Sequence, residues 1–458
     1  MKKLFSSYWI RSAFYSILQR FSITFFALVN YMVLVRTLTK PQTGAYAIFL
    51  VVTTVFEQSK TGLLKNAHIR YVSSTDIREE KTGIASASLL INICITLLFI
   101  LLIVFFGNWL SAVFHTGNDL ATMLRWFIPG LVIMTFFSHL EAIQQSFLDF
   151  KGVFAGYFVR QAVFLVCIAG CWAFHIHYSL TDVVIFLTIG FGCGTIAIWF
   201  YSRPYLEYRF NPTLARVRQV LHYGKWIFAS GTVSNLFTNL DQLVTGTMKT
   251  STDVAYYNTA LRINTILDVP SYAAADIIFP KSARASAEEG EGKVRYLFER
   301  MVGILRSFSV PIALFILVFA KWVIILIAGH QYLAAVPILQ LYMITRLISP
   351  MQNQSANLLN SIGKQAICFW MNSAALAVNL IVNYACVREI GFYGAAVGST
   401  ISYSLALIAW YFLMRRLIGF QPGNILRYML DTYVTVYGFA KKLAFRRKNP
   451  TSDDPKQL

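Results

Sequence analysis

The chain has 458 residues, of which 56% are hydrophobic and only 13% charged, against about 25% charged in an average soluble domain. Its formal net charge is +19, yet no zinc-finger spacing, recognition motif or basic groove interleaved with exposed aromatics accompanies that charge, so nucleic acid is excluded as a partner. The composition is that of an all-α polytopic membrane protein, and the 37 Phe, 24 Tyr and 9 Trp suit lipid-facing surfaces and interfacial belts.

Twelve transmembrane helices are predicted, each near the ~20 residues needed to cross a bilayer. They lie at 12–35, 44–64, 84–106, 121–146, 153–174, 180–201, 222–247, 254–280, 297–320, 332–358, 366–387 and 391–414. The N-terminus, MKKLFSSYWIRSAFYSILQRF, starts basic, but Arg11 and Arg20 interrupt the place of a signal-peptide core and no small-residue cleavage site follows. The first span is therefore expected to be retained.

Charge fixes the expected orientation. With the N-terminus inside, twenty-seven Lys and Arg fall in inner loops and the tail, and five (Arg36, Lys40, Lys249, Lys321 and Arg388) fall outside. By the positive-inside rule both termini are cytoplasmic. After Phe420 the apolar run is too short for another span, so an interfacial helix with a basic end is expected there. The last residues, NPTSDDPKQL, read as disordered.

Sliding the chain by about 210 residues lays RTLTKPQTGAYAIF (36–49) over GTMKTSTDVAYYNT (246–259), with the Thr and the Ala-Tyr pair in register. This predicts a duplication. The expected organisation is two six-helix bundles around a central cavity: 1–201, a cytoplasmic linker 202–221, a second bundle 222–415 and a basic tail 416–458. Two parallel halves imply a pseudo-twofold axis along the membrane normal, a transporter architecture.

Polar residues recur at helical spacing on the first two spans of each half. Span 1 carries Ser12, Ser16, Arg20, Thr24 and Asn30, and span 2 carries Thr53, Thr54, Glu57, Lys60 and Thr61. Span 7 carries Ser230, Ser234, Thr238, Asp241 and Thr245, and span 8 carries Asn258, Arg262, Thr265, Tyr272 and Asp276. Such stripes also glue helices together, but four at equivalent places, each with a charge, point to a cavity.

Eight cations interrupt the spans: Arg20, Lys60, Arg125, Arg160, Lys225, Arg262, Arg306 and Arg346. A charge in hydrocarbon costs about 2.5–3.5 kcal/mol on insertion scales, so such residues serve a task. Arg125 and Lys225 lie near span ends and snorkel. Arg20, Lys60, Arg262 and Arg346 are the candidate cavity cations for an anionic cargo. Asn30, Glu57, Ser230, Ser234, Thr238 and Asn258 are candidate polar lining. Glu57 and Lys60, three apart, also read as a mutually neutralising pair. Asp241 and Glu57 are candidates for proton or ion coupling, and for Asp241 a structural hydrogen bond is an equal reading. Arg160 and Arg306 stay open between cavity and lipid phosphate. The polar runs Glu141, Gln144, Gln145, Asp149 and Ser349, Gln352, Asn353, Asn357, Asn360 suit a cytoplasmic mouth.

Several chemistries are excluded or weakened. There is no GxxxxGK[ST]. Gly190, Gly192 and Gly194 lie inside an apolar span, where close helix packing explains them. His175 and His177 have no third ligand nearby, and the six cysteines show no CxxC pair, so neither a metal site nor a disulfide framework is implied. No cofactor is expected, and no loop is long enough for a catalytic domain.

The segments LVRTLTKPQTGAYAIF, GLLKNAHIRYVSS and AYYNTALRINTILDVPSYAAADIIFPKSARAS resemble the polysaccharide-transporter, O-antigen-type flippase branch of the multidrug/oligosaccharidyl-lipid/polysaccharide exporter superfamily. The resemblance covers about residues 10–415. It implies two bundles rocking about a cavity that carries a polyprenyl-pyrophosphate-linked oligosaccharide across the bacterial inner membrane, beside glycosyltransferases and a polysaccharide polymerase. Related precursor flippases place Arg in spans 1, 2 and 8. Arg20 and Arg262 match the first and third, while span 2 offers Lys60 beside Glu57, a point charge without the bidentate fork. Not an enzyme but a flippase is the expected function. The alternatives are a multidrug cation antiporter of the same superfamily, an integral membrane enzyme of envelope glycan synthesis and a scaffold for such enzymes.

Overall fold

A computed structural model describes residues 8–73, 75, 77–147, 149–206, 210–268, 290–347, 349–362 and 364–448, and among them helices and connecting turns occur without a strand. The helices are α1 (Tyr8–Thr37), α2 (Lys40–Lys60), α3 (Asn66–Ser73), α4 (Arg78–Val113), α5 (Asp119–Trp126), α6 (Ile128–Ser146), α7 (Phe150–Ala173) and α8 (Leu180–Ser202). They continue with α9 (Leu214–Met248), α10 (Ser251–Ile266), α11 (Glu291–Ala328), α12 (Val336–Arg346), α13 (Ser349–Ser361), α14 (Gln365–Ile390), α15 (Tyr393–Ile418) and α16 (Pro422–Lys448). The N-terminal basic start, the second half of span 8 with Tyr272 and Asp276, and the tail after Lys448 lie outside the described residues.

Eight described helices are long and apolar enough to cross a membrane, and two bent pairs bring the number to ten. The remaining two of the twelve expected spans fall on α9, whose polar face lowers its hydropathy, and on α10, described as far as Ile266. Spans 4 and 10 are broken rather than straight: α5 and α6 meet at 49°, and the segment His330–Arg346 meets Ser349–Asn360 at 52°. Pro129 and Pro350 stand in the first turn of the second member of each pair. A proline there lacks only an N–H that the helix does not use, so the chain bends without orphaning a carbonyl. Span 2 runs from α2 through a π-helical turn, Thr61–Lys65, into α3.

Helices α2 and α10 begin alike. Thr39 caps α2 by accepting from the Gln42 backbone while the Gln42 side chain returns to Thr39. Thr250 and Asp253 form the same reciprocal box on α10. The two starts touch: a Cβ on Gly44 would fall on the Ser251 carbonyl group.

The chain forms two compact units. The first is Met1–Val269, Lys321–Leu339 and Met371–Ser399, and the second is Pro270–Ala320, Gln340–Trp370 and Thr400–Leu458. These boundaries pass through α11, α12, α14 and α15 and so differ from those of the halves expected from the sequence. Within the first unit, one end of the second-half helices is tied to α1 and α2. Arg36 donates to the Leu326 carbonyl, Gln331 to the Val35 carbonyl at 3.3 Å and Tyr332 to Thr43 at 3.2 Å.

The core of the first unit gathers Leu34, Phe49, Leu120, Leu124, Phe127 and Leu131. Helices α7 and α8 pack backbone to backbone, since a Cβ on Gly190 would lie 2.7 Å from the Arg160 carbonyl and one on Gly194 2.8 Å from that of Gly156. This is the close packing expected of the glycine run. In the second unit, α16 is docked on α11. Glu299 accepts from the Gln421 backbone at 2.7 Å and from Asn424 at 2.9 Å, and Tyr433 donates to the Ser307 carbonyl at 2.8 Å. Leu426, Leu430, Val434 and Tyr437 remain exposed, spaced to share one helical face as an interfacial helix requires.

Candidate functional site

The charged residues of α2 and α7 come together first. Arg160 Nη1 stands 3.9 Å from Glu57 Oε1, with side chains 16% and 33% exposed. Its guanidinium lies 3.6 Å from the Phe191 ring centroid, a stacking that suits a planar cation more than an ammonium. The i, i+3 spacing suggested that Glu57 would pair with Lys60, but the ion pair in the structure is with Arg160 on another span.

Lys60 points elsewhere. It is 2% exposed and donates to Thr135 Oγ1 at 3.0 Å. Thr135 in turn meets Thr96 at 2.7 Å, and Asn92 donates to the Thr135 carbonyl and to Ser138 at 3.1 and 3.0 Å. The small cavity beside Lys60 is lined only by first-half residues, among them Lys65, His68, Asn92 and His139. Lys60 therefore belongs to a polar network joining the π turn, α4 and α6.

Arg262, on α10, is half-buried and sits 5.9 Å from the ring centroid of Tyr31 on α1. Tyr31 shares a hydrogen with Thr259 at 2.7 Å. Tyr46 on α2 lies within electrostatic range of both Arg262 and Arg160. Arg160 and Arg262 thus each lie against an aromatic ring inside the first unit. Beside them Asn30 is buried and donates to Gln161 at 3.1 Å.

Arg20 is exposed on α1, and its carbonyl accepts from Thr24. Arg346 ends α12 and belongs to the second unit. Ser234 and Thr238 are exposed on α9, the Thr238 hydroxyl bonding back to the Ser234 carbonyl at 2.9 Å. The Ser230 side chain lies outside the described residues. Asn258 is 2% exposed and donates to Gln242 at 2.8 Å, a lock between α9 and α10.

Asp241 occupies a second buried polar site. It is 4% exposed, accepts from Tyr257 at 2.6 Å and from Ser399, and faces the amides of Asn379 and Asn383. Asn383 also donates to Ser399 at 3.2 Å. Helices α9, α10, α14 and α15 therefore meet on one carboxylate. The Oδ1 of Asn383 is buried without a hydrogen-bond partner, so the cluster retains acceptor capacity.

The residues expected at a cytoplasmic mouth are partly committed to packing. Glu141 pairs with Lys65 at 2.8 Å and accepts from Gln145 at 3.1 Å and Tyr157 at 3.3 Å. Gln144 is buried and donates to Ser202 at 2.9 Å. Arg125 reaches Asn108 at 3.0 Å from an exposed position, as a snorkelling residue should. Arg160, left open by the sequence between cavity and lipid phosphate, has its partners on α2 and α8, and its own helix carries no polar stripe.

Comparison with known proteins places these features. Residues 33–337 match the model of a family described as "Polysaccharide biosynthesis protein". The chain is 20% identical over 424 residues to the lipopolysaccharide biosynthesis protein WzxC of Escherichia coli, covering 90% of this chain and 81% of that protein. It is 22% identical over 217 residues to the "Probable low-salt glycan biosynthesis flippase Agl15" of Haloferax volcanii, where the match spans 47% of this chain and 46% of the relative. Among solved structures, the lipid II flippase MurJ in an inward closed conformation superposes with a TM-score of 0.76 at 13% identity, covering 94% of this chain and 92% of that one. A multidrug resistance MATE family transporter, inward-facing, gives 0.75 at 15% identity, covering 88% and 98%. At these identities the superpositions show a shared fold.

Proposed function

The chain belongs to the polysaccharide biosynthesis protein family, and from that premise we propose that it is a flippase moving a polyprenyl-pyrophosphate-linked oligosaccharide across the cytoplasmic membrane. The observation that carries this reading is that two arginines inside the membrane-spanning fold each face an aromatic ring, Arg160 over Phe191 and Arg262 over Tyr31. Two guanidiniums over aromatic surface suit a pyrophosphate, which accepts forked hydrogen bonds, next to sugars, which stack on rings. Arg20 and Arg346 are the further cations of the proposed cargo path, with Ser230, Ser234 and Thr238 as hydroxyl lining. WzxC and Agl15 carry names of glycan biosynthesis and flipping, which supports the same cargo class.

The proposed cycle is alternating access between bundles 1–201 and 222–415, with both termini in the cytoplasm of a bacterial cell. The contacts among Arg36, Thr43, Leu326 and Tyr332 close the end of the bundles that positive-inside charge assigns to the outside. Asp241, with Ser399, Asn379 and Asn383, is the proposed coupling site, where a proton or monovalent cation would exchange as the cycle resets. No bond is made or broken in the cargo, so the protein acts as a transporter, beside the glycosyltransferases and polymerase that make and use the cargo. A cation antiporter would place acids where Arg160 and Arg262 stand.

The test is translocation in cells. Deleting the gene should leave lipid-linked repeat units on the inner leaflet, and a plasmid copy should restore outer-leaflet accessibility. Unchanged translocation in a strain without a redundant flippase would overturn the proposal.

A further inference from the structure

The second unit contains a cavity of about 400 Å³ lined by Arg306, Leu407, Ile408, Tyr411, Phe412 and Phe420, among others. It lies where α11, α13, α15 and the start of α16 meet. Apart from Arg306 and the Tyr411 hydroxyl, its walls are apolar. A sugar or nucleotide would find too few polar partners there.

Arg306 is the informative residue. It is a permanent cation on an otherwise apolar helix, and its Nε is buried without a hydrogen-bond partner. An unsatisfied buried donor is unfavourable, so an acceptor is expected against it. A second cation stands beside the lining residue Tyr411: Arg415 Nη1 donates to its hydroxyl at 3.3 Å from an exposed position. Ile408 and Phe412, on the wall, are 52% and 65% exposed. The cavity therefore opens sideways onto the surface that a bilayer would cover.

We propose that this cavity holds an anionic membrane phospholipid, its phosphodiester on Arg306 and Arg415 and one acyl chain along Leu407, Ile408, Phe412 and Phe420. Charge complementarity and the apolar wall together select an occupant with one anionic headgroup and a hydrocarbon tail, arriving laterally. The site is separate in sequence and residues from the Arg160 and Arg262 pair. The bound lipid would brace the junction of α16 with α11, where Phe298 and Phe420 already pack edge to face at 5.8 Å.

Native mass spectrometry of the purified full chain, delipidated and titrated with defined lipids, tests this. Phosphatidylglycerol should bind at one saturable site, with phosphatidylethanolamine at least tenfold weaker. R306Q should weaken phosphatidylglycerol about tenfold, the loss of a charged hydrogen-bond pair, and R306K should restore part of it. I408W, which fills the acyl groove at an exposed position, should block the site even if R306Q fails to fold. R125Q, an interfacial arginine elsewhere, should change nothing. The proposal is overturned by equal binding of the neutral lipid, by an unchanged affinity in R306Q or I408W, by an equal loss in R125Q, or by displacement with polyprenyl phosphate at lower concentration than phosphatidylglycerol.

Discussion

Replacing Gly44 by alanine should open the outer end of the protein. The added Cβ lands on the Ser251 carbonyl group, and its contact with the Ser251 Cα would be 3.1 Å. The obstacle is backbone at the first turn of α10, where no rotamer change can make room. Helices α2 and α10 must separate, and overpacking of this kind costs about 1–3 kcal/mol. That cost falls on the state in which the two starts touch. It should shift the closed–open equilibrium by about 5- to 150-fold. A cysteine at Leu38, 5% exposed in the α1–α2 turn, reports the change in a background without the six native cysteines. With a membrane-impermeant maleimide added to whole cells, L38C should label slowly in the Gly44 parent and at least fivefold faster with G44A. Translocation should fall in parallel at equal protein levels. Equal labelling rates with wild-type translocation would refute the argument that this contact seals the outer end.

Other substitutions separate binding, coupling and packing. D241N puts an amide among the hydroxyl donors Tyr257 and Ser399; it should destabilise by about 1.5–3 kcal/mol and remove the dependence of transport on an imposed ion gradient, and retention of that dependence would exclude Asp241 as the coupling site. R262E should abolish translocation without lowering the melting temperature, while R262K should retain part of it; wild-type flux in R262E would remove Arg262 from the cargo path. E57R and R160E should each be more harmful than the double swap, with a coupling of about 0.5–3 kcal/mol in a thermal double-mutant cycle, and strict additivity would show the pair to be incidental. K60M should leave melting unchanged or raised, since an apolar side chain of similar length removes a buried charge whose hydrogen-bond acceptor, the Thr135 hydroxyl, is neutral. A large loss of stability would instead show that the ammonium holds its network together.

Much of the fold is readable in the chain because its determinants are local. The apolar runs, the Thr39 and Thr250 caps with residues three further on, and the repeated Ala-Tyr pair all act within a turn or two. Broken spans 4 and 10 carried their own signal in Pro129 and Pro350. Site residues are another matter. Counting polar positions at helical spacing singled out Asp241, Arg262, Lys60 and Asn258 alike, and only the structure gives Lys60 and Asn258 their partners, Thr135 and Gln242. It left Arg160 open, whose partners are Glu57 on span 2 and Phe191 on the next span.

What the sequence determined by itself is therefore a membrane chain of apolar helices with an excess of cations inside its spans. Each of these follows from hydrophobicity and charge summed along a stretch of chain. Only the tertiary structure decided which charges meet. Asp241 finds Ser399, Glu57 turns from Lys60 to Arg160, and α16 lies on Glu299 instead of standing alone. A carboxylate in a bilayer must have donors, but a helical stripe shows only the direction a side chain takes, and the neighbour waiting there is set by how the helices pack.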